Sequence, residues 1–472
     1  MKPTGMREAC GIFGAFGDPQ AAANVYLGLY ALQHRGQESA GIAVAGPDGL
    51  TLHTGLGLLG EALANIDVAA LQGRAAIGHV RYSTQGETVI ENAQPFGMRS
   101  LDGFLALCHN GNLTNALSLR RRLEAQGAIF RSTVDSEVLL HLIARGGGAK
   151  RIDAIVSALR QVSGGYAFLF LTPHALLGAR DPNGIRPLCL GRSQTAWYLA
   201  SESCAFDLIG ATYVREVEPG ELLVITEAGV KSVRFDDRLS SRGCLFESVY
   251  LARPDSLLPS GFAVHSGRRR AGERLAQEAP VDADLVIGVP DSGLSAAMGF
   301  AEQSGLPYEM GLMRNRYASR TFIQPSPSLR EGKVRLKLTT VPGVLTGKRV
   351  VVVDDSIVRG TTSRRIVGLL REAGALEVHM RIASPPVRFP CFYGIDTGDP
   401  KELAIAQWGI DGVRERIGAD SLAYLSVEGL AWAVSESELA ASFCTACFTG
   451  VYPTPIEEEI GQSSLQEEGS RR

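Results

Sequence analysis

Four consecutive valines, Val350-Val351-Val352-Val353, run straight into two aspartates, Asp354-Asp355, and that junction constrains the fold more than any other stretch. An unbroken β-branched run has no polar side to give to water. It predicts a strand buried on both faces, as in a parallel sheet covered by helices. The surrounding pattern repeats this. Leu285 to Val289 predicts a second such strand, followed by a loop at Asp291 to Gly293 and a helix closing at Gly305. After the valines come a loop, a helix carrying Ile366, Leu369, Leu370 and Ala373 before a C-cap candidate at Gly374, and a strand with Val378, Met380 and Ile382.

Ligands of open parallel sheets bind outside the carboxyl ends of the strands, which is where Asp354 and Asp355 fall. The residues that follow, Ser356-Ile357-Val358-Arg359-Gly360-Thr361-Thr362-Ser363, are rich in hydroxyls and lead at once into a helix. Their backbone N–H groups, their hydroxyls and the helix dipole make an anion cradle, while the aspartates can take sugar hydroxyls or magnesium. A phosphorylated sugar suits all of these groups. A solvated acidic turn would need none of them.

The first half reads differently. Short strands are expected at Cys10 to Gly17, Ser39 to Ala45, Arg74 to Val80, Phe104 to Cys108 and Tyr166 to Leu171, with helices at Ala21 to Leu32 and Asp135 to Ala144. That is an α+β pattern with antiparallel sheets, so the chain splits near residue 236 into unlike domains. The 47 Lys plus Arg against 50 Asp plus Glu leave a net charge of −3, with no basic field for nucleic acid. No apolar run approaches the ~18 residues of a membrane span, and no apolar stretch near the start suggests secretion. Eight cysteines in a chain of this kind are better read as thiols, some for catalysis or metal, than as a disulfide framework.

The Val353 to Ser363 stretch resembles the phosphoribosylpyrophosphate motif of type I phosphoribosyltransferases. The resemblance implies that Asp354 and Asp355 hold the ribose and magnesium, and that Ser356, Ile357, Val358, Arg359, Gly360, Thr361, Thr362 and Ser363 hold the 5′-phosphate. Pro290-Asp291-Ser292-Gly293 then looks like the pyrophosphate loop, with Asp291 at the substrate and Ser292 near the metal. In the first half, Cys10-Gly11-Ile12-Phe13-Gly14 keeps company with Gln33-His34-Arg35-Gly36-Gln37, Gly78-His79-Val80-Arg81-Tyr82, His109-Asn110-Gly111-Asn112-Leu113 and Asp135-Ser136-Glu137. Together these resemble the glutaminase domain of N-terminal-nucleophile amidotransferases. A thiol becomes a strong nucleophile on deprotonation, and a free α-amine of the same residue can be its base. Cys10 must then be the first residue, with residues 1–9 removed as a propeptide. By the same resemblance Arg81 pairs with the glutamine carboxylate, Asp135 takes its α-amine, and Asn110 with the Gly111 N–H forms the oxyanion hole.

A glutaminase head joined to a phosphoribosyltransferase resembles the glutamine phosphoribosylpyrophosphate amidotransferases, which open purine biosynthesis. The implied organisation is an αββα N-terminal-nucleophile domain at 10–236, an α/β phosphoribosyltransferase domain at 237–454 and a disordered polar tail at 455–472. Arg320-Thr321-Phe322-Ile323-Gln324-Pro325 resembles the family's closing loop, with Arg320 at the substrate. The resemblance further implies a cytoplasmic homotetramer inhibited by purine nucleotides. Arg314, where the family usually has Lys, leaves the inhibitory nucleotides open.

Cys444-Thr445-Ala446-Cys447, with Cys391 and Cys244 far upstream, favours zinc or an unligated pair by spacing alone. The flanks Pro390-Cys391-Phe392-Tyr393-Gly394 and Cys447-Phe448-Thr449-Gly450 resemble instead the family subgroup whose four cysteines carry a [4Fe–4S] cluster. Cys108, Cys189 and Cys204 are expected in the core. Two apparent motifs mislead. Gly55-Leu56-Gly57-Leu58-Leu59-Gly60 matches a dinucleotide fingerprint inside the wrong kind of sheet, and Gly343 to Lys348 is one residue short of a phosphate loop, with Arg349 where Ser or Thr belongs. Two rival readings make opposite demands. A sugar-phosphate synthase with the same head would need isomerase domains, and a nucleotide sensor without chemistry would have lost Cys10, Arg81 or the 320–325 loop.

Overall fold

The computed structural model describes residues 10–47, 49–82, 88–100, 103–146, 150–237, 241–315, 338–397, 400–435 and 440–456. Residues 1–9, the 320–325 loop with Arg320, and the tail beyond 456 lie outside them.

The first half is two antiparallel sheets. The seven-stranded one runs, in spatial order, Thr212–Glu216, Cys189–Arg192, Trp197–Ala200, Gly11–Phe16, Ala75–Arg81, Ser39–Gly46 and Gly49–Leu56. The six-stranded one runs Gly229–Arg234, Glu221–Thr226, Ala175–Arg180, Gly164–Thr172, Gly103–Leu113 and Phe96–Ser100. Alternation decides which face each strand buries. Ile12, Ala43, Ile77, Ala106, Cys108, Ala167 and Leu169 meet between the sheets. Phe13, Ala40, Ile42 and Val80 point the other way, against the Ala21–Ala31 helix. Leu105, Leu107 and Phe168 do the same toward the helices Ala116–Ala125, Glu137–Ala144 and Arg151–Leu159. The result is four layers, helix, sheet, sheet, helix. The 55–60 glycine run closes one of these antiparallel strands and enters a single helical turn, Leu59–Ala62.

The second half is a four-stranded parallel sheet in the order Leu285–Gly288, Arg349–Asp354, Glu377–Ile382, Ser421–Tyr424. The valine run behaves as its composition demands. Val350 and Val352 pack on one side with the Thr361–Glu372 and Ala404–Ile417 helices. Val351 and Val353 pack on the other, against Val264–Glu278, Leu294–Ser304 and Val427–Ser435. All four are fully buried. At about 1.5–3 kcal/mol for each fully buried branched side chain, this run alone outweighs any surface pairing around it. Gly343 to Lys348 forms a short Pro342–Leu345 helix and a turn at Gly347.

The halves are joined across many sequence-distant contacts. Asn112 donates to the Phe392 carbonyl at 3.0 Å, and the Cys244 N–H donates to the Ile185 carbonyl at 3.1 Å. The Thr114 hydroxyl donates to the Pro455 carbonyl at 3.2 Å, and Ile456 packs near Tyr393 and Cys444, so the first two residues of the expected tail are engaged with the fold. Among the described residues no helix is long and apolar enough to cross a membrane.

Candidate functional site

Cys10 stands immediately before its strand, which pairs with Ala75–Arg81 so that Gly11 faces Val80. Its thiol is buried and donates to the Tyr82 carbonyl at 3.4 Å. Burial pushes this thiol up, and the Arg81 and Arg186 guanidiniums pull it back toward the thiolate. Arg81 is 2% exposed. Burial lowers its guanidinium, against the attraction of Cys10, Glu38 and Asp135. Asp135 accepts from the Leu113 N–H at 2.8 Å and lies 3.3 Å from His109 Nδ1. Three residues named from the sequence therefore share one place: Cys10, Arg81 and Asp135.

Asn110 is fully buried, its amide donating to the Ser201 hydroxyl at 3.3 Å, and Ser201 in turn accepts the Ile12 N–H at 3.0 Å. That ties the expected oxyanion donor to the strand carrying Cys10. Gly111 has φ +132°, and a Cβ there would meet the Gly165 carbonyl oxygen at 2.1 Å. Only glycine can present its N–H here.

Behind Cys10 lies an ionic core whose roles the sequence motifs do not give. Arg35, fully buried, donates from Nε to the Cys10 carbonyl at 3.1 Å. Its Nη1 reaches Glu247 at 2.6 Å and also Glu202. Burial opposes the charged guanidinium, but the two carboxylates prevail and hold it above its ordinary value. Glu202 is held well below the carboxylate range, burial being overcome by His34 and Arg35. Arg186, also fully buried, lies 3.2 Å from Glu247. Arg35 sits inside a quoted motif, whereas nothing local marks Glu247, 212 residues away.

At the carboxyl edge of the parallel sheet, Asp354 and Asp355 end the valine strand. Both carboxyls are raised, Asp354 by burial and by its neighbour Asp355, and Asp355 by burial against the pull of Ser292, Ser356 and Arg268. Ser292 donates to Asp355, as does Ser356 at 2.5 Å, and the Asp355 N–H donates to Asp354 at 2.9 Å. Two crowded carboxylates and serine hydroxyls are an all-oxygen donor set short of positive charge, which fits a hard cation such as magnesium. Asp291, beyond a cis Pro290–Asp291 peptide, pairs with Arg314. Ile357 and Val358 turn their side chains into the core and can offer a ligand only backbone. Arg359 pairs with Glu402 at 2.6 Å. Gly360, at φ +75°, turns the chain into the Thr361–Glu372 helix, leaving Thr361 and Thr362 exposed at its first turn and Ser363 buried.

The four named cysteines also converge. A two-residue parallel ladder sets Cys244 opposite Cys444. The Cys447 carbonyl accepts the N–H groups of Arg388 and Phe389, drawing in the Cys391 segment. Cys391 Sγ accepts the Tyr393 N–H at 3.4 Å. Burial, then the neighbouring cysteines, raises the Cys444 and Cys447 thiols. Among the described residues no group of three or more His, Cys, Asp or Glu side chains is closed up as a metal site. Four thiols gathered from three chain segments, one already receiving an N–H, nonetheless fit a cluster that spreads its ligands more widely than one ion. Cys108, Cys189 and Cys204 are buried in the first half.

The chain is similar to known proteins along nearly its whole length. Residues 79–207 match the family model for the glutamine amidotransferase domain, and residues 263–383 that for the phosphoribosyl transferase domain. An amidophosphoribosyltransferase of Bacillus subtilis (strain 168) is 52% identical, the alignment covering 96% of each chain. One from Synechococcus elongatus is 50% identical over 98% of this chain and 95% of its own. The solved glutamine phosphoribosylpyrophosphate amidotransferase of B. subtilis, complexed with ADP and GMP, superposes with a TM-score of 0.91 at 52% identity, covering 95% of this chain and 98% of that one.

Proposed function

From the premise that this chain belongs to the amidophosphoribosyltransferase family, we propose how its own residues divide the family's reaction. The enzyme is a pentosyltransferase with glutaminase activity, converting glutamine, phosphoribosylpyrophosphate and water to phosphoribosylamine, glutamate and pyrophosphate at the first step of purine biosynthesis. Its two domains are the expected glutaminase and phosphoribosyltransferase folds.

In our reading residues 1–9 are removed, and the freed α-amine of Cys10 takes the thiol proton. The thiolate attacks the glutamine amide carbon while Arg81 holds the substrate carboxylate and Asp135 its ammonium. Asn110 and the Gly111 N–H carry the oxyanion charge. The intermediate collapses to a thioester, the amide nitrogen leaves with the proton as ammonia, and water releases glutamate. Ammonia then attacks C1 of the sugar phosphate as the C1–O bond to pyrophosphate breaks. Asp354 and Asp355 hold the ribose, residues 356–363 the 5′-phosphate, and Asp291 and Ser292 the pyrophosphate side, with Arg320 as a further substrate contact. Asp354, Asp355 and Ser292 would hold magnesium, which would supply charge neutralisation for the leaving group. Cys244, Cys391, Cys444 and Cys447 would hold a [4Fe–4S] cluster that cross-links the chain, and the Cys391 segment packs against the oxyanion loop, where a Cβ at Gly394 would meet the Gly111 Cα at 2.8 Å. Purine nucleotides such as those in the solved relative inhibit, and the assembly is a cytoplasmic homotetramer.

The observation that carries this reading is the convergence of Arg81 and Asp135 on the buried Cys10 thiol. Pyrophosphate release that requires both glutamine and phosphoribosylpyrophosphate tests it, and intact mass tests the N-terminus. Full activity in protein retaining Met1 to Ala9 would sink the amine-base mechanism. Anaerobic protein should be brown, with about four irons and four sulfides per chain. Stoichiometric zinc without sulfide refutes the cluster.

A further inference from the structure

Residues 247–251 form a single π turn, closed by the Ala252 N–H donating to the Glu247 carbonyl five residues back. Such a turn carries one residue more than an α turn, is rare, and is found at functional sites more often than chance. Here it is gripped from both sides by buried charge. On the glutaminase side, Glu247 binds Arg35 at 2.6 Å, and Arg35 holds the Cys10 carbonyl at 3.1 Å. On the phosphoribosyl side, Arg268 is 7% exposed, and its Nε and Nη2 donate to the carbonyls of Ser248 and Ala252, each at 2.8 Å. Both carbonyls belong to the turn or its exit. Arg268 then faces Asp355 across a cavity of about 10 Å³ that Ser248 and Ser292 also line, space for about one water. A line of polar contacts thus runs from the nucleophile's backbone to Arg268, which only a water-sized cavity separates from Asp355.

We infer that Glu247 and Arg268 are positioning residues that couple the two active sites through this π turn. The inference rests on the assignment of Cys10 and Asp355 to the two half-reactions. Neutralising Asp355 with substrate and cation changes what Arg268 faces, hence how firmly it holds the two carbonyls, and so the placement of Glu247, Arg35 and the Cys10 main chain. A coupling of this kind must be reciprocal in binding free energy. No step needs a chemical group outside the established reaction.

The test uses the full-length processed enzyme. In the wild type, saturating phosphoribosylpyrophosphate with magnesium should raise the glutaminase rate severalfold, and alkylation of Cys10 by a diazoketone glutamine analogue should tighten phosphoribosylpyrophosphate binding severalfold. Glu247→Gln, which keeps size and removes charge, should bring both factors close to one while shifting the sugar-phosphate Kd of the unalkylated enzyme by less than about threefold. Arg268→Met should also abolish the activation, Arg268→Lys should restore part of it, and the double variant should be no worse than either single one, as expected for residues acting in series. Removing a partner of a buried ion pair can also unfold a protein. Amide hydrogen exchange of residues 247–252 in the wild type therefore gives a reading that needs no variant: sugar phosphate and Cys10 alkylation should each change protection there severalfold. Unchanged exchange under both treatments, or wild-type activation in Glu247→Gln, overturns the coupling while leaving the function intact. A preparation that never releases pyrophosphate overturns instead the reading on which the coupling rests.

Discussion

The two halves prepare their chemistry in opposite ways. In the first, the groups around Cys10 are of mixed sign, with Arg81 and Asp135 opposed and Arg35 balanced by Glu202 and Glu247. In the second, two adjacent carboxylates at the end of one strand are both raised, by burial first and, for Asp354, by its neighbour as well. The first site is electrically balanced and, under the proposed mechanism, waits on a covalent event, the exposure of an amine. Under the same reading the second waits on a ligand, because an incoming cation would relieve the pair at a pH where protons no longer do. A peptide bond and a missing counter-charge are different locks, and substitutions should separate them.

The largest effect belongs to the nucleophile. Cys10→Ala should reduce glutamine-dependent synthesis by on the order of 10⁴-fold or more. Synthesis from high external ammonia should persist, since the other half never uses the thiol. Loss of both would erase the distinction between the halves. Next, Asp354→Asn with Asp355→Asn should cost on the order of 10²–10³-fold in ammonia-dependent synthesis while sparing basal glutaminase. The same change should leave the ligand-free protein as stable as the wild type or more so. Both folded carboxyls titrate above the ordinary value of 3.8, so the folded chain keeps protons that the unfolded chain has lost. Without a cation, wild-type stability therefore falls as pH rises from near 3.8 through the raised values, and the double variant should lack that part of the fall. Calorimetry should also show that ligand at about 100 times its Kd stabilises the wild type by about 2.7 kcal/mol and the variant by much less.

Much of this was legible from local pattern. The valine strand, its two aspartates and the hydroxyl-rich turn declare themselves because each property is confined to a dozen neighbouring residues. The same holds for the Glu137–Ala144 helix, whose apolar spacing shows its buried face. What stayed hidden is long-range. Glu247 is an ordinary charged residue until Arg35 and Arg186 are placed beside it. Cys244 and Cys444, paired across a ladder of two residues, are too far apart in the chain for spacing to link them. Spacing there suggested zinc or nothing, and only the flanking resemblance pointed to a cluster.

Glycine substitutions sharpen the comparison at a smaller scale. Gly111→Ala forces a Cβ to 2.1 Å from the Gly165 oxygen at φ +132°, and should cost about 3 kcal/mol or more by chemical denaturation. Gly360→Ala meets nothing nearer than 3.8 Å at φ +75°, and should cost only about 1–2 kcal/mol, the left-handed backbone penalty. Equal costs would mean that the sugar-phosphate turn is as tightly enclosed as the glutaminase interior. The smallest effect is expected at Arg314→Lys. Its pair with Asp291 is more than half exposed on both sides, so the denaturation midpoint should reflect a change of about 0–1 kcal/mol.

The bond from Thr114 to the Pro455 carbonyl has a consequence for the order in which the molecule is made. These residues are 341 apart in sequence. At roughly 5–20 residues per second, the ribosome delivers the acceptor on the order of 20–70 s after the donor. The ladder from Cys244 to Cys444 imposes a similar delay. The head leaves the ribosome first yet is sealed by residues translated long afterwards, so a glutaminase assembled ahead of its partner lacks these contacts during the interval when released ammonia would have no sugar to meet.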